Sequence, residues 1–170
     1  MNLVERSVRE FVDSVASVDE PVPAGGSVAA LTGASSAALL ALVSGVLERK
    51  HVSGVSGLLA RAQDLQDRLL RLVDEDAEAY RAYLQRVERA LERTTQTPLD
   101  VAAACLEVVD LSRELEGFSR GPLSSDVRTA RTLASAALAS ALDIAEQNVL
   151  LHSDPAVQAR LRDQISRLRE

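Results

Sequence analysis

Residues 22–50 read VPAGGSVAALTGASSAALLALVSGVLERK, and this stretch decides the fold. From Ser27 onward Ala, Leu and Val recur at helical spacing, and no charge appears until Glu48. Thr32, Gly33, Ser35, Ser36, Ser44 and Gly45 interrupt the run, so it reads as a buried helix over 26–50 rather than a bilayer span. Small residues on several sides let neighbouring helices approach closely, which places this helix at the centre of a bundle. Its opening is less ordinary. A proline turn stops whatever precedes it, Gly25 and Gly26 let the backbone bend and approach a neighbour or ligand, and Ser27 or the turn itself caps the helix.

Outward from this segment, no stretch shows the period-2 alternation of a strand, and helical spacing recurs nearly everywhere. A helix over 7–18 carries Val8, Phe11, Val12, Val15 and Val18 on one side and ends in the turn Asp19-Glu20-Pro21-Val22-Pro23. After a Gly/Ser-containing connection at 51–57, a third helix is expected over 58–93. At ~1.5 Å per residue it would reach about 50 Å, so it bends or supports a subunit contact. Thr97-Pro98 is read as the start of a fourth helix, which ends near Gly117, because Thr caps and Pro fits the first turn. A loop over 118–123 leads to a fifth helix beginning at Ser124-Ser125-Asp126. Ser153-Asp154-Pro155 caps a short polar sixth. The fold class is all-α: a bundle of five to six helices with long central helices, in one domain spanning 1–170.

Composition narrows the function classes. The net charge is −6, with no basic block to neutralise several phosphates, which argues against nucleic acid as a partner. No signal-like or membrane-spanning segment is read, so no membrane partner is expected. The single cysteine, Cys105, lies in an apolar helical pattern and reads as a small buried hydrophobe, which fits a reducing, cytoplasmic setting. Two histidines without a Cys/His cluster give no support to a metal site, and no nucleotide-binding or nucleophile-elbow motif is present.

Candidate chemistry begins on the third helix. Leu58, Ala62, Leu65, Leu69, Leu72, Val73, Tyr80, Tyr83, Val87 and Leu91 form one apolar stripe, and Asp76 projects from its middle. The other acids nearby, Asp64, Asp67, Asp74, Glu75 and Glu78, rotate away. A carboxylate on a buried face must be paired, hydrogen-bonded or set in a wet cavity, which makes Asp76 either a candidate for proton transfer or a structural acid bonded to a Tyr or Ser. Asp126, in the expected first turn of the fifth helix, is favoured there by capping and the helix dipole whatever its function, which leaves it either a structural acid or a site carboxylate. Asn148 and His152 share a side with Ala134, Ala141 and Ala145, where polar groups line a cavity or answer the helix terminus. Lys50 closes the second helix, favoured by its dipole or as a binder of an anionic substrate group.

Taken in order, VPAGGSVAALTGASSAALLALVSGVLERK at 22–50, DEDAEAY at 74–80, TPLDVA at 97–102, SDVRTA at 125–130 and ALDIAEQNV at 141–149 resemble the cyclodeaminase/cyclohydrolase family of folate enzymes. The family's triple glycine is here Ala24-Gly25-Gly26, its Gly-Asn before Ser-Asp is replaced by GFSRGPL, and His152 stands where many members carry a second Asn. The resemblance implies an all-α homodimer that binds a reduced folate, with no tightly bound cofactor and a tetrahydrofolate derivative as substrate. It implies cyclodeamination of 5-formiminotetrahydrofolate, with ring closure and ammonia release. The alternatives are methenyltetrahydrofolate cyclohydrolase activity, or a non-catalytic helical module that keeps the fold. Under this resemblance Asp76 is the acid/base group and Asp126 a second carboxylate. The first-turn amides of Gly25, Gly26 and Ser27, with Lys50 and Asn148, contact the substrate.

Overall fold

The computed structural model describes residues 2–19 and 22–169, so Glu20 and Pro21 of the proline turn lie outside the described residues. Six helices follow a 3-10 turn at Leu3–Glu5: α1 Val8–Val15, α2 Gly25–Arg49, α3 Leu58–Leu84, α4 Ala90–Glu116, α5 Pro122–Val149 and α6 Pro155–Arg169. Among the described residues there is no strand, and the fold is all-α. Helices α2 to α5 run alternately up and down. α2 packs against α3, α4 and α5, while α6 covers α4 and α5.

The small residues of α2 do what their placement in the sequence suggests. A Cβ on Gly33 would stand 2.6 Å from Cys105 Sγ and 3.1 Å from a Leu69 methyl, so glycine here lets α4 and α3 close on α2 together. Burial pushes the Cys105 thiol up to about 12, far from a reactive thiolate. By length and composition α2 is apolar enough to cross a membrane, and half of its most apolar window is buried within the bundle.

Several boundaries differ from the sequence reading, beginning with α1, which ends at Val15 rather than at residue 18. The third helix stops at Leu84, not at residue 93, because Arg86 adopts a left-handed conformation (φ 57°) and Val87 N–H returns to Ala82 O at 3.0 Å. That closure usually uses Gly or Asn, and arginine gives no such signal. Val87 is consequently exposed and Leu91 belongs to α4. α4 then begins at Ala90, so Pro98 sits inside a helix rather than opening one. α5 begins at Pro122, which leaves Asp126 beyond the first turn, where it caps nothing. The α6 start agrees with its motif: Asp154 Oδ1 accepts from Ala156 N–H at 2.8 Å.

α1 opens with a capping box between Ser7 and Glu10. On its apolar side only Phe11 is buried; Val8, Val12 and Val15 are exposed along a groove of about 400 Å³ shared with Val28, Leu31, Leu70 and Val73. The 3-10 turn is tied to α3 by Leu3 N–H, which donates to Asp74 Oδ1 at 2.6 Å. Asp74 is therefore half-buried and structural, not a solvated surface acid.

Candidate active site

The first turn of α2, the second half of α3, the first turns of α4 and the last turns of α5 meet at one end of the bundle. Between them lies a cavity of about 210 Å³ whose wall includes Gly25, Gly26, Asp76, Tyr80, Thr94 and Asn148. The N-terminus of α2 bounds this space, so Gly25 and Gly26, whose first-turn amides have no acceptor within the helix, line its wall.

Ala24, the N-cap of α2, makes no side-chain cap, and Asp76 of α3 fills that role from outside the helix. Ser27 Oγ lies 2.9 Å from Asp76 Oδ2 and 3.0 Å from Val73 O, and the Ser27 amide also donates to the carboxylate. A hydroxyl has one proton, so Ser27 serves the ionised carboxylate or turns to Val73 O when Asp76 carries its own proton. Burial raises the Asp76 pKa above its ordinary value, and the two hydrogen bonds from Ser27 act the other way. The carboxyl thus sits beside a helix N-terminus, with burial favouring its neutral form and Ser27 its ionised form.

Gly26 is what permits this approach. A Cβ there would fall 2.0 Å from Asp76 Oδ1 and 2.5 Å from its Cγ, so any side chain would displace the carboxylate. At Gly25 a Cβ would meet only the Ile144 methyl, at 3.4 Å. Ala24 replaces the family's first glycine in an extended conformation (φ −134°, ψ −156°) that any residue adopts, and it is exposed. The backbone at this position therefore does not require glycine, and the Ala24 side chain becomes part of the cavity wall.

Asn148 is held by an equally local device. Pro98 has no N–H, so the carbonyl of Thr94, four residues earlier, loses its helical donor. Asn148 Nδ2 donates to that carbonyl at 2.8 Å. Thr94, Thr95 and Thr97 each turn their hydroxyl back to the carbonyl four residues before, at 2.9 Å in all three, which eases the helix around the proline. One turn beyond Asn148, His152 Nε2 lies 2.9 Å from Thr95 Oγ1. Thr94 and this role of Pro98 were hidden by ending one helix at residue 93 and starting the next at Thr97-Pro98; the Thr-Thr-x-Thr-Pro pattern was the available signal.

Four of the expected site residues, Gly25, Gly26, Asp76 and Asn148, share the cavity, and Ser27 is bonded to Asp76 beneath it. Asp126 and Lys50 do not join them. Asp126 precedes Asn148 by 22 residues of α5, about 33 Å at ~1.5 Å per residue, and Lys50 follows Gly26 at a similar distance along α2. Both lie at the opposite end of the bundle. The divergent GFSRGPL loop lies there too, with the Phe118 ring against Gly54 of the α2–α3 connection.

A family profile described as Formiminotransferase-cyclodeaminase matches residues 7–167. The methenyltetrahydrofolate cyclohydrolase of Methylorubrum extorquens is 27% identical over 157 residues, covering 79% of this chain and 75% of its own. The crystal structure of formiminotetrahydrofolate cyclodeaminase from Thermotoga maritima superposes with a TM-score of 0.91 at 21% identity, over 98% of this chain and 90% of that one, a likeness of fold.

Proposed function

The chain belongs to the formiminotransferase-cyclodeaminase family, and from that premise we propose that it is an enzyme of folate one-carbon chemistry, a formiminotetrahydrofolate cyclodeaminase. The observation that carries the reading is Asp76: a carboxyl with a raised pKa, bonded to Ser27 and facing a cavity bounded by the N-terminus of α2.

Ring closure joins N10 of the folate to the carbon of the formimino group, which is protonated on its nitrogen. The adduct carries one proton too many on N10 and one too few on the departing nitrogen. Asp76 as carboxylate takes the N10 proton and, as the acid, delivers it to the amino group, which leaves as ammonia. The carbon becomes the methenyl cation, and the regenerated carboxylate lies beside that positive charge. Such a shuttle works best when the acid's pKa is drawn toward the working pH, the direction in which burial moves Asp76. Ser27 follows the proton by turning its hydroxyl between Asp76 and Val73 O. Free amides at the first turn of α2 and the Asn148 side chain hold pterin or amide oxygens.

A second reading, methenyltetrahydrofolate cyclohydrolase, is favoured by the 27% relative. The same carboxylate would then activate water against the methenyl carbon. Supplying both substrates separates the two: ammonia release from the formimino compound supports the first, and loss of the methenyl absorbance without it supports the second. Absence of folate binding at millimolar ligand would leave a non-catalytic module. We also propose a homodimer and a cytoplasmic setting. The exposed apolar residues Val8, Val12 and Val28 along the α1 groove support the former, and sedimentation tests it.

A further inference from the structure

Asn148 is the last residue but one of α5, so a side chain that bounds the Asp76 cavity hangs on a helix end. Such ends leave carbonyls without helical donors, and they fray. This one is closed by a turn: Leu151 N–H returns to Asn148 O at 3.1 Å, and His152 N–H to Val149 O at 3.2 Å. His152 then joins α5 to two more helices. Its carbonyl accepts from Gln158 Nε2 of α6 at 2.6 Å, and its ring Nε2 lies 2.9 Å from Thr95 Oγ1 of α4.

The direction of the ring's hydrogen bond follows from the protons available. Thr95 is buried, and its hydroxyl also lies 2.9 Å from Leu91 O, which only accepts. If the hydroxyl gave its one proton to the ring, the contact with Leu91 O would carry no hydrogen. If Nε2 bears a hydrogen, the ring donates to Thr95 Oγ1 and the hydroxyl donates onward to Leu91 O, so the buried oxygen both gives and receives. Thr94 and Thr97 send their hydroxyls to the carbonyl four residues back in the same way. A ring whose only hydrogen is on Nδ1 breaks this chain.

We propose that His152 is a positioning residue for the reaction: donating from Nε2 to Thr95, it pins the end of α5 to α4 and so fixes Asn148 in the Asp76 cavity. Two side-chain bonds then tie these helices together, from Asn148 to Thr94 O on the cavity side and from His152 to Thr95 in a separate groove. His152 does not line the Asp76 cavity, so it acts through Asn148. The effect on turnover rests on the folate reading above; the direction of the bond and the anchoring of Asn148 do not.

The test is a double-mutant cycle. H152F keeps a ring without a donor, T95V keeps the shape of threonine without an acceptor, and H152Q brings an amide N–H to the place of Nε2. H152F and T95V are each expected to lower kcat/KM about tenfold, and H152Q to stay within about threefold of wild type. In the N148A background H152F is expected to cost less than about twofold more, because the group it positions is gone. Additive losses of H152F and N148A, a wild-type rate in H152F, or a loss in H152Q as deep as in H152F overturns the proposal. Nitrogen-15 spectra of the wild-type imidazole are expected to show hydrogen on Nε2; hydrogen on Nδ1 alone overturns it. If wild type turns over neither the formimino nor the methenyl compound, the function proposed above fails, and hydrogen exchange of the Asn148 side-chain amide decides the positioning role alone. Protection present in wild type and H152Q but lost in H152F and T95V supports it, and protection unchanged in H152F overturns it.

Discussion

At one end of the α2–α5 bundle Asp76 lies against the first turn of α2, bonded to Ser27 and open to a cavity shared with Asn148. At the other end Asp126 and Lys50 occupy helix-terminal regions of the same bundle, and neither lines that cavity. Both ends contain an acid that the sequence singles out. The difference lies in what the neighbours supply. Gly26 removes the side chain that would hold Asp76 away, and Pro98 frees the carbonyl that fixes Asn148. Asp76 is thereby held against a helix N-terminus by Ser27, a setting that Asp126 lacks.

The comparison breaks most visibly in the two carboxylates. Asp76→Asn is expected to lower kcat/KM by about 10²–10⁴-fold, the range of a lost general acid–base group. Asp126→Asn and Lys50→Ala are expected to stay within about threefold, as exposed or terminal groups remote from the chemistry do. Steady-state kinetics on all three variants, with helicity checked by circular dichroism, reads this directly. A loss at Asp126 equal to that at Asp76 would merge the two ends into one site.

Gly26→Ala comes next. Its Cβ would overlap the Asp76 carboxylate, so a stability loss of about 1–3 kcal/mol is expected together with most of the activity. Gly25→Ala, facing only a methyl group at ordinary contact distance, is expected to change stability by less than about 1 kcal/mol. Chemical denaturation of the pair separates close approach from mere flexibility of the Gly-Gly step.

Pro98→Ala sharpens the same comparison at α4. The restored N–H competes with Asn148 for Thr94 O, so activity is expected to fall about tenfold while stability rises by about 1 kcal/mol. Asn148→Ala checks the route: it should lose activity to a similar extent without the gain in stability.

The smallest effect is in pH dependence. Because its folded pKa is raised above the ordinary 3.8, Asp76 binds its proton more tightly in the folded chain than in the unfolded one. Its contribution to stability therefore falls as pH rises from 3.8 through the raised value and then levels off. Asp76→Asn removes that component. The variant is expected to gain on wild type across the interval, in urea titrations at a series of pH values.

The helical class, the central role of 22–50 and the outlying position of Asp76 were legible because apolar periodicity reports directly which face is buried. Helix ends were less so. The α3 stop uses Arg86 in a conformation that normally advertises itself through glycine, and Pro98 looks like a helix start until Asn148 is seen to satisfy the carbonyl it orphans. Asp126 was misplaced for a related reason: α5 begins at Pro122, and sequence order gives no measure of which helix ends meet. Conversely, the departure from the triple glycine at residue 24 is an extended alanine in the structure, a conformation that needs no glycine.

A crystal structure with a bound reduced folate tests the central claim most directly. The account expects the one-carbon centre within hydrogen-bonding reach of the Asp76 carboxyl, with folate oxygens on the first-turn amides of α2. A folate seated at the Lys50 and Asp126 end, with no ligand atom near Asp76, would contradict it.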